Sequence, residues 1–156
     1  MKKYELLKDD TKIMSGHTLY RIKALRDFGN VEKGDLGGYI ESEDNLSHNG
    51  DAWVFDDAMV CGNARVFGNA MVCGNAEVCG NAEVKSEDDY IVFKNNWSSG
   101  RYFTYTKSNK MWKVGCFYGT GQELIEKAYA DSELSGKCYE AYVKLVEQLE
   151  EIQEVE

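Results

Sequence analysis

From Asn49 to Val84 the chain repeats one six-residue pattern of apolar and polar positions six times without a gap: NGDAWV, FDDAMV, CGNARV, FGNAMV, CGNAEV, CGNAEV. The fourth position is always alanine (Ala52, Ala58, Ala64, Ala70, Ala76, Ala82) and the sixth always valine (Val54, Val60, Val66, Val72, Val78, Val84). A period of six is neither the ~3.6 of a helix nor the simple ~2 of a strand. It suits a chain that runs extended briefly, turns, and repeats, with three sides to a coil of 18 residues. Alanine and valine alternate within a hexad, so both point inward from one short strand. Alanine is small where three segments converge, and β-branched valine fills the rest of the interior. The second position is glycine in five of six hexads, Asp56 being the exception, and the third is always Asn or Asp. Such corners tolerate the left-handed backbone of a tight turn.

The flanks carry different patterns. In Leu19–Leu25, Tyr20, Ile22 and Ala24 alternate with Arg21 and Lys23, which predicts a strand, and residues 1–36 read as a β segment. After the polar stretch 85–89, three strands are predicted at Tyr90–Lys94, Arg101–Thr106 and Met111–Tyr118. A helix is predicted to open at Thr120, with Glu123 completing a capping box. A second helix is predicted from about Lys137 to Ile152, with Cys138, Ala141, Leu145, Val146, Leu149 and Ile152 on its apolar face. The organisation expected is therefore residues 1–36, a repeat region 37–84 that includes two degenerate hexads, and an α+β unit of three strands and two helices over 85–156.

The hexads resemble those of the hexapeptide-repeat family of left-handed parallel β-helix proteins, as in the run Val60-Cys-Gly-Asn-Ala64. Over about residues 18–84 the chain is similar to small hexapeptide-repeat proteins of phage and prophage genomes. The resemblance implies a mainly β fold: a short left-handed parallel β-helix with an N-terminal β segment and a C-terminal α+β unit. It also implies self-association as a trimer or a multiple of one. The apolar residues that follow each valine (Phe55, Cys61, Phe67, Cys73, Cys79) point away from the coil interior. Phe55, Phe67, Trp53 and Met71 are the expected interface residues.

Composition narrows the function classes. The 156 residues carry 18 Lys plus Arg against 27 Asp plus Glu, a net charge of −9, which disfavours binding to polymeric nucleic acid. No apolar run is long enough for a membrane span and no secretory leader is evident, so a cytoplasmic location is expected, the host cytoplasm if the chain is phage-encoded. Five cysteines without CxxC spacing read as free thiols rather than a disulfide framework or a zinc site, and no metal or cofactor is expected. Proline is absent, as suits closely stacked segments with every N–H in use.

Three functional readings follow. Arg21, Lys23 and Arg26 form the densest cationic cluster, and Arg101, Tyr105 and Trp112 belong to a stretch where cations alternate with aromatics. Such groups hold a phosphate and stack a base. They point to a non-catalytic oligomer that sequesters a small anionic, nucleotide-like ligand, a role that the phage resemblance extends to countering a host defence signal. The alternative implied by the family is an acyltransferase using acyl-CoA, with His48 as general base. The third is a structural or protein-interaction module.

Overall fold

The computed structural model describes residues 2–155. Strands β1 (Tyr4–Met14) and β2 (His17–Ala24) form an antiparallel hairpin through a turn at Ser15 and Gly16, both at positive φ. Strand β3 (Leu36–Ile40) adds antiparallel to β2, with Tyr20 opposite Ile40. Six two-residue strands follow, one per hexad: β4 (Trp53–Val54), β5 (Met59–Val60), β6 (Arg65–Val66), β7 (Met71–Val72), β8 (Glu77–Val78) and β9 (Glu83–Val84). Each of the first three pairs in parallel with the strand three further on. Trp53 lies beside Met71, Val60 beside Val78, and Arg65 beside Glu83. These partners are 18 positions apart, as the period requires. The preceding turn is two residues longer, because Ile40 pairs with Val60 and Leu46 with Val66. The insertion falls between Leu46 and Val54, where the repeat first becomes regular.

The six alanines and six valines form one fully buried core, joined by Tyr4, Ile22, Ile40, Leu46 and Trp53. Burying a valine side chain contributes roughly 1.5–3 kcal/mol, so this row is the main source of cohesion. The corner glycines hold φ near +65 to +70°, and Asp56 adopts φ 55° in their place.

The expected fold class needs correction. The molecule is not a mainly β protein organised around a left-handed parallel β-helix. It is α+β, and its largest sheet is mixed. The largest sheet runs β1-β2-β3-β5-β8, antiparallel through its first three strands and parallel beyond. The remaining hexad strands form two-stranded sheets, β4-β7 and β6-β9. The hexad period specifies local geometry and spacing. It does not show that the N-terminal hairpin joins the same sheet, which makes that sheet mixed.

The C-terminal region has four strands where three were expected: β10 (Tyr90–Lys94), β11 (Tyr102–Thr106), β12 (Met111–Val114) and β13 (Phe117–Gly119) in one antiparallel sheet. Gly115 at positive φ turns the chain between β12 and β13 inside the stretch read as a single strand. Helix α1 (Gly121–Asp131) is capped by Thr120, whose hydroxyl accepts from the Glu123 N–H, while the Glu123 carboxylate accepts from the Thr120 N–H at 2.9 Å. Helix α2 (Glu133–Val155) begins earlier than predicted and buries Tyr139, Val143 and Val146. Of the predicted stripe only Val146 is buried, while Leu145, Leu149 and Ile152 are exposed. The aromatic residues of α2 that pack on the sheet, Tyr139 and Tyr142, fix a different rotation of the helix.

The C-terminal sheet closes the last row of hexad strands. That row has no further strand to pair with, so its outward N–H and C=O groups need partners. Each side receives one. The Glu77 N–H donates to Thr104 Oγ1 at 3.0 Å and the Glu83 N–H to Ser108 Oγ at 2.8 Å. On the third side the Tyr90 hydroxyl donates to Met71 O at 2.8 Å.

Candidate functional site

Docking of the sheet leaves a cleft of about 770 Å³. Three parts of the chain line it. The tip of the first hairpin supplies Ser15 and His17. Two stacked corners supply Cys61, Gly62 and Asn63, and above them Cys79, Gly80 and Asn81. The sheet supplies Asn109, Met111, Lys113, Cys116 and Tyr118. Gly80 is required here: a Cβ would clash with the Tyr118 hydroxyl, and φ is +65°. The Tyr118 hydroxyl donates to Cys79 O at 3.4 Å and accepts from the Asn109 amide at 3.0 Å, and that amide also reaches Asn81 Oδ1 at 3.1 Å.

The charge on the lining is one-sided. Among the described residues that line the cleft there is no aspartate or glutamate. His17 and Lys113 are its basic groups, and Lys113 is only 3% exposed, donating to Gly115 O. His17 Nδ1 lies 3.0 Å from Glu41 Oε2, and the other Glu41 oxygen accepts from the Gly62 N–H at 2.7 Å. Glu41 therefore stands behind His17 and braces the corner. Its hydrogen bond and charge raise the His17 pKa above the usual imidazole value. The same hydrogen bond, helped by the Gly62 N–H, lowers the pKa of the Glu41 carboxyl.

Two of the lining thiols touch. Cys61 and Cys79 have Sγ atoms 3.2 Å apart. Ionisation is favoured at Cys61, by the hydrogen bond to Cys79 and then by the nearby His17. It is disfavoured at Cys79, by that same hydrogen bond and by burial. Among the described residues no cluster of three or more His, Cys, Asp and Glu side chains is placed to hold a metal ion.

The six residues expected to bind ligand are not brought together. Arg21 donates to Asp10 at 2.8 Å, to Gly37 O at 2.7 Å and to the Tyr39 hydroxyl at 2.6 Å, with Asp57 at 3.3 Å, so its guanidinium is committed to structure. Lys23 is exposed, and Arg26 donates to His48 O. Tyr105 and Trp112 are buried in the second core, where Tyr105 donates to Glu150. Arg101 borders a separate shallow hollow with Lys12, Asp57 and Glu77. Of the expected interface residues, Trp53 is buried against Tyr4 and Phe28 and cannot face a partner. Phe55 and Phe67 are half-buried, and Met71 is 38% exposed.

His48 is also committed. Its ring stacks on Tyr4 with centroids 4.1 Å apart, and Nδ1 accepts from the Lys3 N–H at 3.1 Å. Nε2 then carries the proton and donates to Glu43 Oε1 at 2.7 Å. This tautomer leaves no free lone pair for a general base.

Sequence reasoning placed Cys61 under Cys79 but missed the cleft around them. His17 and Lys113 come from opposite flanks of the repeat and carry no local signal. No protein-family model matches the chain, and a search of curated proteins returns no significant match. Among the described residues no helix is long and apolar enough to cross a membrane.

Proposed function

We propose that the protein is a non-catalytic binder that sequesters a small anionic, nucleotide-like ligand, and that the ligand sits in the cleft between the stacked corners and the C-terminal sheet. The observation that carries this reading is the carboxylate-free lining of the cleft in a chain of net charge −9. Here the basic groups are Lys113, nearly buried beside Gly115, and His17, paired behind the cleft with Glu41; the exposed amides of Asn63 and Asn81 supply hydrogen bonds, and Met111 with the Tyr118 ring supplies apolar surface. A pocket with low-dielectric walls and one sign of charge concentrates a ligand of the opposite sign. The cationic site is therefore assigned to His17 and Lys113 rather than to Arg21, Lys23 and Arg26. Self-association belongs to the same proposal, and the exposed apolar residues Met71, Leu145, Leu149 and Ile152 support it.

The test is native mass spectrometry of gently purified protein, followed by thermal-shift titration with a panel of mono-, di- and cyclic nucleotides. The expected result is a bound mass of a few hundred daltons or a nucleotide-dependent stabilisation, either of them lost in His17→Gln/Lys113→Met. An adduct-free protein that no anion in the panel stabilises refutes the reading. A monomeric mass refutes the oligomer alone.

A further inference from the structure

The floor of the cleft holds two thiols whose placement the binding reading does not use. Cys61 and Cys79 follow Val60 and Val78, which are register partners on adjacent parallel strands, and the Cys61 N–H donates to Val78 O at 3.0 Å. Neighbours in such a register stand about 4.8 Å apart along the hydrogen-bonding direction. That lies within the Cα separation of roughly 4.4–6.8 Å that a disulfide bridges. The two Sγ atoms already meet at 3.2 Å. Both thiols are nearly buried, at 4% and 5% exposure, and what is open faces the cleft that they line. An oxidant that reaches them comes through a passage flanked by His17 and Lys113.

We propose that Cys61 and Cys79 are a redox-active dithiol that reduces a small anionic disulfide admitted by the cleft. The Cys61 thiolate attacks one sulfur of that disulfide. The substrate S–S bond breaks, a mixed disulfide forms on Cys61, and one small thiolate leaves. Cys79 then loses its proton and attacks the Cys61 sulfur. The intraprotein S–S bond forms and the second small thiolate leaves. Each departing thiolate takes up one of the two protons released by Cys61 and Cys79, so the substrate gains the two electrons that the cysteines lose. The order of attack follows from the environment. The hydrogen bond shared by the two thiols and the neighbouring His17 favour ionisation at Cys61, whereas burial and the same hydrogen bond disfavour it at Cys79. The leaving thiolates depart past cations rather than carboxylates. The other free cysteines offer no such pair: Cys73 and Cys116 are exposed, and Cys138 lies on α2.

The test uses the full chain, reduced, freed of reductant and incubated with oxidised glutathione. The reaction is quenched by denaturing alkylation and read by intact mass and peptide mapping. The wild-type protein should lose two hydrogens and yield a cross-linked peptide joining Cys61 to Cys79. Cys79→Ser should stop at one glutathionyl adduct on Cys61, and Cys61→Ser should leave Cys79 unmodified over the same time. Recovery of Cys61 and Cys79 in alkylated form, while Cys73 or Cys116 carries the glutathione, would overturn the proposal. An adduct on Cys79 in Cys61→Ser that forms as fast as that on Cys61 in Cys79→Ser would overturn the assigned order. The wild-type measurement does not depend on the folding of either variant.

Discussion

Lys3 is a buried cation, and its burial makes stability depend on pH in a way that one substitution isolates. Its side chain is fully buried, its ammonium donates to Ala52 O and Gly50 O, and it lies 4.9 Å from the centre of the Phe28 ring. Burial, reinforced by Arg26 and opposed by Asp51, lowers its pKa from 10.5 to about 8. Between those values the unfolded chain holds a proton that the native state has released, so stability rises with pH across this window. Below pH 8 both states are protonated and the folded state bears the whole penalty. The fall from 10.5 to about 8, at 1.36 kcal/mol per pH unit, is worth about 3.4 kcal/mol, of which about 2.5 kcal/mol is recovered by pH 10. The assay is urea denaturation of the wild type and of Lys3→Met at intervals from pH 7 to 10. Taking the difference between the two proteins cancels the tyrosines and every other group they share. The wild type should gain about 2.5 kcal/mol on the variant across that range. A difference that stays flat would show that Lys3 titrates normally, and the reasoning from burial would fail.

Three further outcomes are expected. Gly80→Ala and Gly74→Ala impose the same left-handed strain, at φ +65° and +67°, but only at Gly80 does a Cβ meet the Tyr118 hydroxyl; Gly74 has open space. Gly74→Ala should therefore cost about 1–2 kcal/mol in urea unfolding and Gly80→Ala distinctly more; equal losses would refute the docking of Tyr118 on that corner. The raised His17 pKa means that its contribution to stability is fully present below pH 6.5 and is lost as pH rises through the folded value. An NMR titration should give a midpoint above 6.5 that moves down in Glu41→Gln, and an unmoved midpoint would exclude Glu41 as the cause. Thr120→Ala, which removes the hydroxyl that accepts from the Glu123 N–H, should lower stability by about 1 kcal/mol in the same denaturation assay.

How much could be read in the sequence depended on the range of the interaction. The hexads fixed the inward rows of alanine and valine, the glycine corners and the register of Trp53 on Met71, Arg65 on Glu83 and Cys61 near Cys79, because a strict period records a local geometry repeated in space. The period has no information on what lies beside the repeat. It could not show β3 joined to a hairpin on one side and to β5 on the other, and so the fold class inferred from it was wrong. Helix α2 shows a related limit. Its sequence offers two apolar faces, and the choice of Tyr139, Val143 and Val146 over Leu145, Leu149 and Ile152 was made by the aromatic residues of the sheet beneath. The cleft was least legible. Charge density along the chain drew attention to Arg21 and Arg26, yet dense local charge is also what ion pairs and carbonyl caps require, and that is how both are used.

The ends of the repeat explain why a cleft forms where it does. Two-residue strands in a short stack leave open backbone groups at both ends, and each of the three sides must be closed at each end. At the first end β2 pairs with β3, the Tyr4 hydroxyl donates to Leu46 O at 2.6 Å, and Lys3 donates to Ala52 O. That closure is tight because one continuous segment supplies it, and it buries a lysine. At the last end the partners are Tyr90, Thr104 and Ser108, side chains carried on or beside β10 and β11 of a sheet with its own core. A preformed sheet meets the stack through side chains rather than by adding another strand, so the two surfaces do not close everywhere. The gap opens along the corners of Gly62 and Gly80, where the stack presents no bulky side chain, and β12 and β13 bring Lys113 and Tyr118 to it. Edge closure and the ligand cleft are thus one structural event. Replacing the edge acceptors, as in Thr104→Val with Ser108→Ala, should loosen the sheet and weaken anion binding together. Undiminished binding by a variant whose sheet has demonstrably detached, measured by hydrogen exchange at the Glu77 and Glu83 amides, would separate them and refute the link.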